Sequence, residues 1–158
     1  MAAPADRALL QDMLARYRTE MGEPPDDPWL DSYWAEAGRL PFLLCEGRAV
    51  AGFALVNRWS CLGLPLDHAM AEFYVAPAHR RSGLGRWAAR WLFAALPGQW
   101  EVAALPTALP FWRATVPSGA TETPQPHALV LRFRTEGGVR GDPIPPAGVQ
   151  GAAPPGRG

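Results

Sequence analysis

Between residues 69 and 105 the hydrophobic pattern changes period twice. AMAEFYV, Ala69 to Val75, reads as a strand. Leu84, Trp87, Ala88, Trp91, Leu92 and Ala95 then recur at helical spacing with Arg86 and Arg90 on the opposite face, and after Pro97-Gly98 the run QWEVAAL reads as a second strand. Strand, helix and strand in immediate succession make a β-α-β unit, so the two strands must lie parallel in one sheet. That unit limits the fold more than any other stretch of the chain.

The flanks do not repeat the unit. Leu9, Leu10, Met13, Leu14, Tyr17 and Met21 predict an amphipathic helix from about residue 6 to 21, ended by Gly22 and Pro24-Pro25. Asp27 as N-cap and Pro28 at the first helical position predict a second, short helix with Trp29, Leu30, Tyr33 and Trp34 on its apolar face, stopped by Gly38. PFLLCEGRAVAGFALVNRW reads as an antiparallel hairpin turning at Glu46-Gly47, with Gly52 marking a bulge or a close backbone approach. After Pro106, FWRATV is a short helix or turn, and HALVLRFRT alternates as a last strand. The order predicts an α+β fold with a mixed, mainly antiparallel sheet, a central β-α-β unit and flanking helices, spanning residues 1–136. Residues 137–158 are Gly/Pro-rich and predict a disordered tail.

The 158 residues fit one such domain, and 15 basic residues balance 15 acidic ones, so overall charge favours neither a nucleic-acid nor a membrane-surface partner. Every basic side chain is Arg, which excludes Schiff-base and P-loop lysine chemistry. Two cysteines and three scattered histidines do not form a metal pattern; a Cys nucleophile paired with His68 competes with plain burial of Cys45 and Cys61. The start MAAPADRALL has no signal-peptide pattern and no apolar run reaches spanning length, which predicts a cytoplasmic chain.

The loop entering the central helix, HRRSGLGRWA, carries the chemistry. Gly83-Leu84-Gly85-Arg86-Trp87-Ala88 fits a dinucleotide-binding string, but residues 76 to 82 separate Val75 from Gly83, where that motif follows its strand almost directly. A second reading makes the glycines packing residues and the arginines solvated. Yet Arg80, Arg81, Arg86 and Arg90 crowd the start of a helix, where the dipole disfavours cations unless an anion sits among them. The third reading is a pyrophosphate cradle: amides from Ser82 to Arg86 point out of the helix start, Gly83 and Gly85 let the ligand approach, and Arg80, Arg81 and Arg86 supply charge.

Arg80-Arg81-Ser82-Gly83-Leu84-Gly85 resembles the R/Q-x-x-G-x-G/A signature of the GNAT N-acetyltransferases, and EFYVAPAHRR resembles the strand and loop before it. LDSYWAEAGRLPFLLCEGRAVAGFALVNR, MAEFYV, GQWEV and FWR extend the resemblance, over roughly residues 5 to 135, to a little-characterised group of bacterial predicted acetyltransferases. The resemblance implies acetyl-CoA as co-substrate without a metal, pantetheine along Tyr74 and Val75, and pyrophosphate on residues 80 to 86 including Leu84. It implies direct attack by an amine, from a small molecule or a peptide, in a monomer or homodimer. The rival is an acyl-CoA-binding module of weak activity.

Acetyl transfer to an amine needs a base, an oxyanion donor and a proton for the thiolate. Glu72, three residues before Val75, is the first candidate base. Glu101, flanked by Trp100 and Val102, is the second; by resemblance it matches a basic glutamate of the ribosomal-protein acetyltransferase branch. The resemblance makes the Val75 amide the oxyanion donor. Many relatives keep an Asn in the loop after this strand and a Tyr on the next helix as acid; LPTALPFWR has no Asn and puts Trp112 near the Tyr position. Trp29, Tyr33 and Trp34 are expected to wall the acceptor site, with specificity in the loops around Ser60 to Asp67 and Pro117 to Gln125.

Overall fold

The computed structural model describes residues 1–137. Its helices are α1 (Arg7–Glu20), α2 (Ser32–Ala35), α3 (Leu84–Ala95) and α4 (Leu109–Thr115); its strands are β1 (Leu40–Glu46), β2 (Ala49–Asn57), β3 (His68–Val75), β4 (Gly98–Ala104), β5 (Thr121–Pro124) and β6 (Leu129–Thr135). The strands form one sheet in the order β1-β2-β3-β4-β6-β5, antiparallel throughout except where α3 crosses over to make β3 and β4 parallel. This is the predicted α+β architecture. The segment expected to be a tail lies, beyond Gly137, outside the described residues.

Each face of the sheet is covered. Leu10, Met13, Leu14, Leu30 and Tyr33 of the N-terminal helices and their linker pack on Phe53, Leu55 and Tyr74. On the other face Ala89, Leu92, Phe93 and Trp112 of α3 and α4 pack on Val56, Met70, Trp100, Val102 and Leu131. Burying such side chains contributes about 1.5–3 kcal/mol each, which makes α1 and α3 fixed walls of the sheet.

Two irregularities place the chemistry. Ala51 is the extra residue opposite the Leu44–Cys45 step, and a Cβ on neighbouring Gly52 would sit 2.1 Å from the Tyr74 carbonyl oxygen, so both a bulge and a close approach occur there. In β3, Leu55 opposes Glu72 but Val56 opposes Met70, leaving Ala71 as a bulge. Met70 therefore packs under α3 and α4, while two residues later Glu72 faces α1.

Two expectations are corrected. Asp27 Oδ1 accepts from Trp29 N at 2.8 Å, but it caps a turn; helix α2 begins only at Ser32, and Trp29 is 64% exposed. Within the stretch read as the loop Pro117 to Gln125, TETP forms edge strand β5 against β6, held by ladder bonds because it has almost no apolar side chain to bury.

Candidate active site

The parallel pairing of β3 and β4 runs only from His68↔Trp100 to Met70↔Val102; beyond it the strands separate. Phe73 borders this splay and stacks on Phe111 of α4 at 5.9 Å, with Trp112 edge-on at 5.3 Å. The free edge can be assigned from hydrogen bonds. Ala76 N donates to Ala51 O at 2.8 Å, directly opposite in the register, so Tyr74 and Glu72 share that edge and spend their backbone groups on β2. Phe73 and Val75 turn theirs into the splay. Of the two residues expected along pantetheine, Val75 lies on the splay edge with Phe73, and Tyr74 has its backbone groups on β2.

After Val75 a 3-10 turn, Pro77–His79, leads to Arg80, and then Arg81 and Gly83 both adopt positive φ, 63° and 88°. Gly83 caps α3, a conformation that costs an L-residue about 1–2 kcal/mol. Ser82 Oγ donates to His79 O at 2.9 Å and accepts from Leu84 N at 3.3 Å, fixing the loop. Leu84 itself is wholly buried against Ala51, Val75 and Trp87, so its side chain anchors the helix start and faces no ligand. Trp87 N bonds to Gly83 O, which leaves the amides of Gly85 and Arg86 directed out of the first turn. A Cβ on Gly85 would lie 3.3 Å from Val75 and 3.4 Å from Phe111, so this glycine serves helix-to-strand packing.

The arginines divide into two kinds. Arg81 and Arg86 are exposed and form no ion pair among the described residues. Arg80 is engaged elsewhere: its Nε donates to Val75 O and its Nη2 to Glu20 Oε2, both at 2.8 Å. Arg80 thus differs from Arg81 and Arg86, the other two arginines expected to supply charge to an anion cradle. Beside it, an open groove of about 790 Å³ runs between Ala15, Thr19 and Glu20 of α1 and Tyr74, Ala76 and Pro77.

On the α1 side, burial pushes the Glu72 carboxyl up to about 7, with Asp27 and Glu23 adding to the rise while the Tyr17 hydroxyl and Arg18 oppose it. The Tyr17 ring is held edge-on to Phe53 at 6.0 Å and against Tyr74 at 5.6 Å, with its phenol toward Glu72; burial and that carboxylate drive the phenol far above its ordinary value. Tyr33 is buried and bonds to Asn57 Nδ2 at 3.3 Å, close enough to feel Glu72. Trp34 is half-buried and donates to Ala2 O at 3.4 Å, bracing the N-terminus. Of the three residues expected to wall an acceptor, Tyr33 is thus the one set near Glu72, and Trp29 is largely exposed. The contact of Tyr17 with Glu72 was not foreseen, because in the sequence Tyr17 is legible only as part of an apolar stripe.

Glu101 stands in a different setting. It is 1% exposed and accepts from Ser60 Oγ at 2.7 Å, Cys61 N at 2.5 Å and Arg132 Nη1 at 2.7 Å, while Arg132 Nη2 holds Pro65 O at 2.8 Å. Polar donors, rather than the apolar surroundings expected from Trp100 and Val102, fill its environment, and they pin the Ser60 to Asp67 loop onto β4. Burial and the Glu101 charge push the Cys61 thiol up, and His68 packs on Trp100 at 5.0 Å, so the Cys-His reading finds no support. No group of three His, Cys, Asp or Glu among the described residues is arranged to hold a metal, and no described helix is long and apolar enough to cross a membrane.

Residues 8–113 match the family described as Acetyltransferase (GNAT) family. An acetyltransferase from Thermus thermophilus superposes with a TM-score of 0.66 at 20% identity, covering 85% of this chain and 94% of its own. For yncA of Salmonella typhimurium, solved with its cofactor acetyl-CoA, the values are 0.61, 16%, 89% and 95%. For the ribosomal-protein-S18-alanine N-acetyltransferase of Escherichia coli they are 0.53, 15%, 88% and 94%. A comparison with curated protein sequences finds no significant match. At these identities the structures share the fold.

Proposed function

The chain belongs to the GNAT acetyltransferase family, acetyl-CoA-dependent N-acetyltransferases, and on that premise we propose that it acetylates a small-molecule or peptide amine by direct attack, with Glu72 as general base. The observation that carries this reading is the joint position of two groups on β3: a carboxyl poised near neutrality at Glu72 and, three residues on, a Val75 amide facing the splay. Acetyl-CoA supplies the thioester. Phe73 pairs its free backbone edge with the pantetheine arm, and the amides of Ser82, Gly83, Gly85 and Arg86, with the Arg81 and Arg86 side chains, hold the pyrophosphate. Glu72 takes the proton of the attacking amine as the C–N bond forms, and the Val75 amide stabilises the charge developing on the carbonyl oxygen. As the C–S bond breaks, the thiolate is protonated by a water, whose own loss is made good by the proton Glu72 took from the amine, since α4 turns Phe111 and Trp112 toward the splay and the indole is no useful acid.

That same aromatic α4 is what favours the second reading, an acyl-CoA-binding module of weak activity. Calorimetry with acetyl-CoA, run beside free-thiol release over a panel of amines, amino acids and peptides, separates the two. We expect binding together with acceptor-stimulated release. Binding without release leaves the module, and the absence of binding removes both.

A further inference from the structure

We infer that Arg80 is a positioning residue of this reaction, bracketing the Val75 carbonyl and Glu20, rather than a ligand of the pyrophosphate. The inference rests on the acetyl-CoA reading above. The guanidinium is fixed in three directions. Nε donates to Val75 O at 2.8 Å, Nη2 donates to Glu20 Oε2 at 2.8 Å, and Cζ lies 5.6 Å above the Tyr74 ring. A planar guanidinium held at two donors and one face has no freedom to swing to a separate anion without breaking at least one contact.

What it holds matters more than what it lacks. Ala76 is the last residue of this segment bonded to β2, and on the splay side β3 has lost β4 beyond Met70. The Val75 carbonyl and amide point to the same edge, so a donor fixed on the carbonyl also fixes the direction of the amide that faces the splay. Arg80 thus supplies, from the side chain, the support a neighbouring strand would otherwise give. Its other end reaches Glu20, the last residue of α1, one turn beyond Tyr17, whose ring packs on Tyr74 at 5.6 Å. The bracket therefore sets helix α1, which brings Tyr17 to Glu72, against the strand end that receives the thioester. Both partners are roughly two-fifths exposed, at 42% for Arg80 and 41% for Glu20, so the pair adds little to global stability and variants of either fold.

The test uses S-acetylpantetheine, a thioester without pyrophosphate, beside acetyl-CoA. Arg80→Gln and Glu20→Gln are both expected to lower kcat with S-acetylpantetheine by about tenfold or more, the scale of a small misplacement of the reacting groups. Coenzyme A affinity, measured by calorimetry, should stay within about threefold for Arg80→Gln and fall about tenfold for Arg81→Gln, as the loss of one charge-assisted contact requires. If Arg80→Gln weakens coenzyme A as Arg81→Gln does and leaves S-acetylpantetheine turnover intact, or if Glu20→Gln turns over normally, the bracket is refuted. A parent protein that releases no thiol from either thioester sinks the acetyl-transfer reading instead, and the calorimetric comparison still decides the role of Arg80.

Discussion

Replacing Glu72 by Gln should make the protein slower and more stable at once, with both effects tied to pH. In the folded chain the carboxyl titrates near 7 against an ordinary 4.5, chiefly because it is buried. The unfolded chain releases this proton near 4.5, so between 4.5 and 7 the folded state binds more protons, and stability falls as pH rises through that window. A gap of about 2.5 pH units corresponds to about 3.4 kcal/mol, fully expressed above pH 7 and absent at the acid end. Partial exposure and local relaxation reduce this, so Glu72→Gln should gain about 1–3 kcal/mol over the parent at pH 8 and close to nothing at pH 4. Urea unfolding followed by tryptophan fluorescence at several pH values reads the difference directly. In parallel, the parent's kcat/KM should climb through an apparent pKa near 7, and the variant should lose that limb together with about 10²–10⁴-fold in rate. A stability difference that is flat from pH 4 to 8 would show that burial does not hold the proton on Glu72. An unchanged rate would place the base elsewhere.

Two further substitutions probe the scaffold. Glu101→Gln leaves the half-buried Arg132 beside a neutral partner and should lower unfolding free energy by about 2–3 kcal/mol in chemical denaturation, while the pH limb of turnover near 7 survives; loss of that limb would return Glu101 to the chemistry. Gly83→Ala forces an L-residue to φ 88°, so thermal unfolding should report about 1–2 kcal/mol lost and calorimetry a weaker coenzyme A complex; equal affinity would detach the helix cap from anion binding.

Much of the fold was legible because periodicity was strong where burial is strong. The hairpin, helix α3 and strand β4 each present an apolar face whose spacing admits one conformation, and the β-α-β crossover follows from their order. Strand β5 was not legible, since TETP has no face to bury and exists through its pairing with β6. The anion loop could be read as a loop with free amides, but not which arginine it leaves free: Glu20, which claims Arg80, lies sixty residues away and has no local signature. The same holds for Glu101, whose apolar chain neighbours carry no sign of Arg132 and Ser60. Tyr17 looked like one more residue of an amphipathic stripe because helical spacing says what is buried and not what a hydroxyl meets. Short, capped segments misled for a related reason: Asp27-Pro28 signals a start, and a turn satisfies that signal as well as a helix does.

The extra residue at Ala71 has a consequence for how such a chain can change. Because it takes one residue out of the alternation of β3, drawing it into a regular strand with no residue lost would carry Glu72 to the side occupied by α3 and α4, whereas deleting it would keep Glu72 opposite Leu55 and on its present face. The sheet behaves as a partition with one slot, the gap where β3 leaves β4, and the bulge at Ala71 decides on which side of the wall Glu72 stands. On the proposed reading the two substrates come from opposite rooms and meet only in the slot. Straightening the bulge would put the base in the same room as the thioester's anchor, so the kink at Ala71 is under tighter chemical constraint than the identity of most side chains along the strand.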